Sequence, residues 1–424
     1  MLKIPEKYTL DNGLRVLLLP QKNSLSTIAQ IFVNVGSKDE SLKTSGISHF
    51  IEHMVFKGTR KRPTPKKLTE EIERVGGQSN AYTGQEETSY WVKMPAKYSS
   101  LALDIVSDIF LFPLFRSEEL EKERGVILQE MAMYEDQPMR VVEEKFYQLA
   151  YGNQPAGRKI IGSSENIKNF SIQDLKEYKE RRYLPQSSVL VVAGSFNLSQ
   201  IKKQIEETFS VLKKKRKLRR QKTIIKQKEP QLSFTVKKTD QAHLILGFHS
   251  FDLYHPQRRA LELLSVILGG GMSSRLFIEI RERKGLAYYV NAHNDFSQDS
   301  GLFLIQAGVG PENLEKTIKI ILQELRKIVR KKVGVRELHK AKERIKGGLT
   351  MGLETIQAQA SFFGNQELFY NKTKSLREIL DEYEQIDATA IQKIATEVFV
   401  NNRLNLAVVG PSGENDKIKN LLEI

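Results

Sequence analysis

The stretch "IAQIF", residues 28–32, has a counterpart in "LILGF", residues 244–248, and the same interval of 216 residues separates Val192-Ala193-Gly194 from Val408-Val409-Gly410. Short runs rich in β-branched and aromatic residues read as buried strands. Two such markers that keep one interval imply that the 424-residue chain contains one structural unit twice. Between the markers each half reads strand, strand, helix, helix, strand, strand, several helices and a last strand. This pattern predicts an α+β fold: two homologous domains, each a largely antiparallel twisted sheet backed by helices. A chain of this length is also expected to build more than one core.

Composition marks the seam. Residues 213–228, KKKRKLRRQKTIIKQK, hold ten Lys or Arg and no acid, and they carry much of the net charge of +15. A run of like charges repels itself and stays solvated, so it reads as a basic linker. The other reading, a patch for nucleic acid, lacks aromatic residues on which bases could stack. Domains are therefore expected at 1–212 and 230–424, joined by 213–229, with no nucleic-acid partner.

Local signals agree with this plan. Asp11-Asn12-Gly13 marks a hairpin between Tyr8-Thr9-Leu10 and the run Leu14 to Leu19. Helical spacing runs through Leu101, Ile105 and Ile109, and again through Leu263, Val266 and Ile267. Thr64-Pro65 opens a helix that Gly76-Gly77 stops. No apolar run approaches the roughly eighteen residues of a membrane span, and Met-Leu-Lys-Ile-Pro-Glu-Lys lacks the apolar centre of a secretory signal. The expected setting is the cytoplasm or, for a mature chain, a matrix-like compartment, with no membrane partner. Cysteine is absent, so any metal must rest on His, Asp and Glu.

The chemistry concentrates in SHFIEHMVFKGT, residues 48–59. Ser48 can cap or precede a helix running through Met54, on which His49 and His53, four apart, project from one side with Glu52 beside them. Two imidazoles and a carboxylate suit zinc. If Glu52 is reserved for proton transfer, a further carboxylate is needed. The segment SEELEKERGVILQEMAMYED, residues 117–136, places Glu123 and Glu130 seven apart, about two turns along one helical face.

The H-x-x-E-H order resembles the inverzincin, or pitrilysin-type, zinc metallopeptidases. In that family a glutamate separated from the second histidine by about 76 residues completes the ligand set, and 76 residues lie between His53 and Glu130. The resemblance implies that His49, His53 and Glu130 bind one zinc ion per chain. It also implies that Glu52 is the general base and that Glu123, one heptad before Glu130, is a supporting carboxylate.

Two further stretches match. GGQSNAYTGQEETSYWVKM, residues 76–94, resembles the family's Asn-Ala-x-Thr edge strand, which implies that Asn80 and Ala81 grip an extended peptide through its backbone. Tyr90 and Trp91 read as packing residues. LGGGMSSRLFIEIRERKGLAYYV, residues 268–290, fails the dinucleotide pattern because Ser274 stands where glycine is required. It is instead similar to the family's partner segment, in which Arg281 and Tyr288, seven apart, would complete the site. The glycines before Arg281 suit either close backbone approach to substrate or a neighbouring domain, or a helix-breaking turn.

The resemblance spans the chain and is nearest to the two-domain branch that includes mitochondrial processing peptidase subunits and their bacterial relatives. It implies an endopeptidase acting on unfolded peptides in a chamber between subunits, as a homodimer or as a heterodimer with a homologous chain. The rival readings are a structural or assembly subunit that keeps the fold without the chemistry and a polyanion-binding protein that uses residues 213–228; the expected source is bacterial.

Overall fold

The computed structural model describes residues 3–411 and 415–424. Its eleven strands form two sheets. The first contains β1 (Glu6–Thr9), β2 (Arg15–Pro20), β3 (Ser26–Val33), β4 (Gln78–Thr83), β5 (Thr88–Pro95) and β6 (Ser188–Gly194), in the order β1-β2-β6-β3-β5-β4. The second contains β7 (Gln231–Val236), β8 (Ala242–His249), β9 (Ala287–Phe296), β10 (Gly301–Val309) and β11 (Leu404–Gly410), in the order β7-β11-β8-β10-β9. The added strand β1 comes from the expected hairpin. Gly13 takes φ +90° in its turn, and the Asn12 side chain accepts from the Leu14 amide at 3.0 Å.

The duplication is visible strand by strand. In each sheet one parallel pair, β2–β6 or β7–β11, is followed by antiparallel neighbours in the same sequence. Arg15 lies opposite Val189 and Gln231 opposite Asn405, so the interval of 216 holds for these strands. It does not hold for β3 and β8. Ile28 faces Ala193, whereas the residue facing Val409 is His243, not Leu244, so the correspondence there is 215. Hydropathy alone could not see this slip, because β3 and most of β8 are buried on both sides and show no alternation. Following the ladders outward, Asn80-Ala81 on β4 and Asn291-Ala292 on β9 share one register.

The expected contiguous halves differ from the observed compact units. The first unit comprises Met1–Met131, Lys159–Gln221 and Thr350–Leu376, and the second Ala132–Arg158, Lys222–Leu349 and Arg377–Ile424. Each half thus lends a helix to the other's sheet. Helix Ile356–Tyr370 covers the first sheet, placing Ile356, Ala360, Phe363 and Leu368 against Leu17, Ile28, Phe32 and Val191. Helix Pro138–Tyr151 covers the second, placing Val142, Phe146 and Tyr151 against Ile245, Leu304 and Val409.

Both loans depend on a missing side chain. A Cβ on Gly364 would stand 2.3 Å from the Phe32 ring, so the helix lies directly on the strand's phenylalanine. The second sheet reverses the parts: a Cβ on Gly247 of β8 would stand 2.6 Å from the ring of Phe146 on the helix. Glu367, fully buried, ties the first borrowed helix to the sheet through Lys7 at 2.9 Å, and its carbonyl accepts from the Arg15 guanidinium at 2.6 Å.

The basic run forms neither helix nor strand and is mostly exposed, as a solvated linker should be. Arg220 is the exception. It is half-buried and pairs with Asp39 at 2.6 Å and Glu86 at 3.1 Å. Among the described residues no helix is long and apolar enough to cross a membrane.

Filling the Gly364 hollow tests the packing of the borrowed helix. Gly364→Val gains a few tenths of a kcal/mol in helix propensity but overpacks the Phe32 ring, a cost of about 1–3 kcal/mol. Denaturant unfolding should show a net loss, and Phe32→Leu should be less damaging in the Gly364→Val background than alone.

Candidate metal centre

The histidine helix, Ile47–Met54, buries Ile47, Ser48, Phe50, Ile51 and Met54. This leaves His49, Glu52 and His53 on its half-buried side. Ser48 is not its cap. Gly46 takes that position with φ +100°, and the Ser48 hydroxyl lies 3.1 Å from the Tyr178 hydroxyl instead. Glu40 replaces a side-chain cap: its two oxygens accept from the Gly46 amide at 2.7 Å and the Ser48 amide at 2.8 Å. A buried carboxylate at this end also opposes the positive pole of the helix.

One turn apart, the His49 and His53 rings have centroids 4.7 Å from each other. Helix Ser117–Asp136 faces them with a stripe of Leu120, Glu123, Ile127 and Met131 in the interior. Glu130 Oε2 stands 3.8 Å from His49 Nε2 and 3.5 Å from His53 Nε2. Tetrahedral zinc, with bonds of about 2.0–2.2 Å, holds its ligand atoms roughly 3.3–3.5 Å apart. Glu130 already stands near that spacing from both rings, all three donor atoms lie within 4.8 Å of one another, and two nitrogens with one carboxylate oxygen suit zinc. Among the described residues, these three form the only group of His, Asp or Glu side chains close enough to do so.

The remaining expected residues separate into two groups. Glu123 Oε2 lies 3.0 Å from His53 Nδ1, on the side of the ring away from Glu130, and its other oxygen meets Lys57 at 2.7 Å. Thr83, the last residue of β4, donates its hydroxyl to Glu52 Oε2 at 2.5 Å. Asn80 and Ala81 lie on that same edge strand, where the Ala81 amide donates to Asn80 Oδ1 at 2.8 Å. Tyr90 packs in the interior with its hydroxyl 3.0 Å from that of Tyr183. Trp91 packs against the first core.

Arg281 and Tyr288 belong to the second unit. Arg281 sits in a π-helical turn, Phe277–Glu282, with its guanidinium over the Phe277 ring and 5.9 Å from that of Tyr288. Tyr288 is 74% exposed at the start of β9. The glycines before Arg281 do allow close backbone approach, but to the unit's own sheet. A Cβ on Gly269 would stand 2.2 Å from the Ala292 nitrogen.

Electrostatics set the two histidines apart. Burial, helped by the neighbouring His53, holds His49 down to about 4 against the pull of Glu130. Burial lowers His53 as well, but its hydrogen bonds to Glu123 and Glu130 prevail and raise it to about 9. Burial also lifts Glu52 above the usual carboxylate range, with Thr83 drawing it partly back. Glu123 is buried too, yet His53 and Lys57 hold it below its ordinary value. The arrangement can bind a divalent cation and keep a basic carboxylate next to it.

Sequence reasoning missed Thr83, Lys57 and Glu40. Thr83 stands in the quoted Asn-Ala-x-Thr pattern, and Lys57 lies one turn beyond His53. Glu40 acts on backbone amides and left no pattern to read.

Comparisons with known proteins agree with the fold. The family described as Insulinase (Peptidase family M16) matches residues 15–164, and the one described as Peptidase M16 inactive domain matches residues 169–345. A Bacillus subtilis protein named as an uncharacterized zinc protease is 35% identical over 96% of this chain and 98% of its own length. A Mycobacterium tuberculosis protein, also named as an uncharacterized zinc protease, is 32% identical over 96% of this chain and 94% of its own. The crystal structure of a protease from Helicobacter pylori matches with a TM-score of 0.89 at 26% identity, covering 96% of this chain and all of that one. A Pseudomonas fluorescens structure described as a peptidase M16 inactive domain shares the fold, with a TM-score of 0.88 at 17% identity, covering 96% of this chain and 98% of that one. With relatives alike over nearly its whole length, the chain belongs to peptidase family M16.

Proposed function

We propose that the chain is a zinc-dependent endopeptidase for extended, unfolded peptides, with His49, His53 and Glu130 as ligands of one zinc ion and Glu52 as general base. One observation carries this reading. A carboxylate made more basic by burial stands beside three donors that already lie near coordination spacing. Bound there, zinc would supply Lewis acidity, polarising a carbonyl and making water nucleophilic near neutral pH.

The chain's own residues do the rest. Thr83 occupies Glu52 Oε2, so Oε1 is the atom that takes a proton from the attacking water and passes it to the leaving amine. Glu123 holds the proton on His53 Nδ1, which directs the Nε2 lone pair toward the ligand cluster. The free edge of β4 accepts substrate as an added strand, and Asn80 then releases the Ala81 amide for a substrate carbonyl.

Arg281 and Tyr288 enter as groups contributed by a second copy in a homodimer whose subunits enclose a chamber. Arg281 holds a substrate carbonyl and Tyr288 donates to the developing oxyanion. The exposure of Tyr288 and the stacking of Arg281 on aromatic rings, without a described acidic partner, support this role.

Four measurements follow from the roles. Glu52→Gln should keep zinc while cleavage of an unstructured fluorogenic peptide falls by about 10²–10⁴-fold; a metal-loaded but silent wild type would instead make the chain a non-catalytic subunit. Glu130→Ala should lose zinc, as read by elemental analysis after dialysis. Mixing Glu52→Gln with Tyr288→Phe should recover about a quarter of wild-type activity, since half of randomly re-formed dimers carry one intact composite site of two; no recovery refutes composite sites.

The fourth concerns protons. His53, lifted to about 9, is charged in the metal-free protein at pH 7.5 and must become neutral to bind. Zinc binding should therefore release about one proton, and affinity should rise with pH until about 9. Calorimetry in buffers of different ionisation enthalpy measures this count, and Glu123→Gln should lower it.

A further inference from the structure

Arg220 lies in the basic run, two residues before the second unit resumes at Lys222, yet its half-buried guanidinium is held by the first unit in a way that no solvated linker requires. Its Nη2 donates to Asp39 Oδ2 at 2.6 Å, to Asn34 Oδ1 at 3.1 Å and to the Glu86 carbonyl at 3.1 Å, while its Nη1 pairs with the Glu86 carboxylate at 3.1 Å. Asp39 and Glu86 are themselves almost wholly buried. Arg182 also pairs with Asp39, and Lys38 with Glu86. A guanidinium, planar with five donors, can serve both loops at once where a lysine could not.

The two loops it joins both reach the candidate centre. The loop at residues 36–40 ends in Glu40, which caps the histidine helix. The turn at residues 84–87 follows Thr83, which holds Glu52. The loops are zipped by backbone bonds from Ser37 to the Gly84 carbonyl at 3.2 Å and from Lys38 to the Gln85 carbonyl at 2.8 Å. They approach so closely that a Cβ on Gly36 would stand 2.4 Å from the Gly84 oxygen. One side chain therefore fastens the support of the metal helix to the support of the general base.

We infer that Arg220 is a positioning residue of the peptidase centre, a bolt that fixes Glu52 relative to the histidine helix and makes the linker part of the site's framework. The inference rests on the peptidase reading for its catalytic consequence, but not for its structural one. Removing the guanidinium leaves Asp39 and Glu86 short of a positive partner and frees the two loops to move separately.

Arg220→Ala, with Arg219→Ala as a control on a neighbouring exposed arginine, tests it in the full chain. In Arg220→Ala, zinc content should stay at the wild-type value while kcat falls about 10–100-fold, the usual cost of losing an outer support. KM should change less than kcat. Millimolar guanidinium should restore part of kcat, and Arg220→Lys should restore little. Independently of activity, amide exchange of Ser37, Lys38, Gly46 and Ser48 should quicken at least tenfold, while exchange in strands β7–β11 stays unchanged. Wild-type exchange at those four amides, or a loss of kcat that follows global unfolding and that guanidinium does not rescue, would overturn the inference. A wild-type protein without peptidase activity would refute the peptidase reading and leave the exchange result to decide on Arg220.

Discussion

An eight-residue helix has little claim to stability of its own, since isolated helices shorter than about 12–15 residues are marginal in water. The helix that carries His49, Glu52 and His53 is shorter than that, and its cap position is a glycine in the left-handed region. That glycine is forced by space: a Cβ on Gly46 would stand 2.7 Å from the Ile161 carbonyl oxygen. The backbone fits, but at the cost of a cap side chain. Glu40 compensates from six residues away with a charge-assisted bond from each oxygen. That one carboxylate thus holds the end of the helix whose geometry spaces the two histidine rings.

The two histidines of the centre also differ in their electrostatics. His49 and His53 are chemically identical and one turn apart, yet one is held neutral and the other charged through the physiological range. Burial prevails at His49, whose Nδ1 has no hydrogen-bond partner among the described residues, whereas at His53 the hydrogen bonds to Glu123 and Glu130 prevail over burial.

Much of this was legible because it is periodic. Four residues along a helix put two imidazoles on one side, seven put Glu123 and Glu130 on one face, and the family resemblance joined the two segments. The doubled sheet was legible for the same reason, through strands at a fixed interval. What escaped is interaction without periodicity. Glu40 acts on two backbone amides and Thr83 through a single hydroxyl, and Arg220 was indistinguishable in sequence from the nine solvated cations around it. The borrowed helix Ile356–Tyr370 was hidden for another reason: its buried stripe includes Gln359, Gly364 and Glu367, which hydropathy counts as solvent-facing. Polar groups buried with partners, and a glycine that fits a ring, do not look like a core until the partners are known.

The exchange of helices sets a schedule for biosynthesis. Strands β1 to β6 are all made by residue 194, but the helix that covers one face of their sheet ends at residue 370. Contacts separated by so much chain are slow to form, because a long loop must close before they stabilise anything. A ribosome that has finished the first half has therefore produced a sheet with one apolar face still open, the kind of intermediate that chaperones bind. The second sheet is made with its helix, Pro138–Tyr151, already waiting. Neither contiguous half of the chain therefore contains the whole of either compact unit.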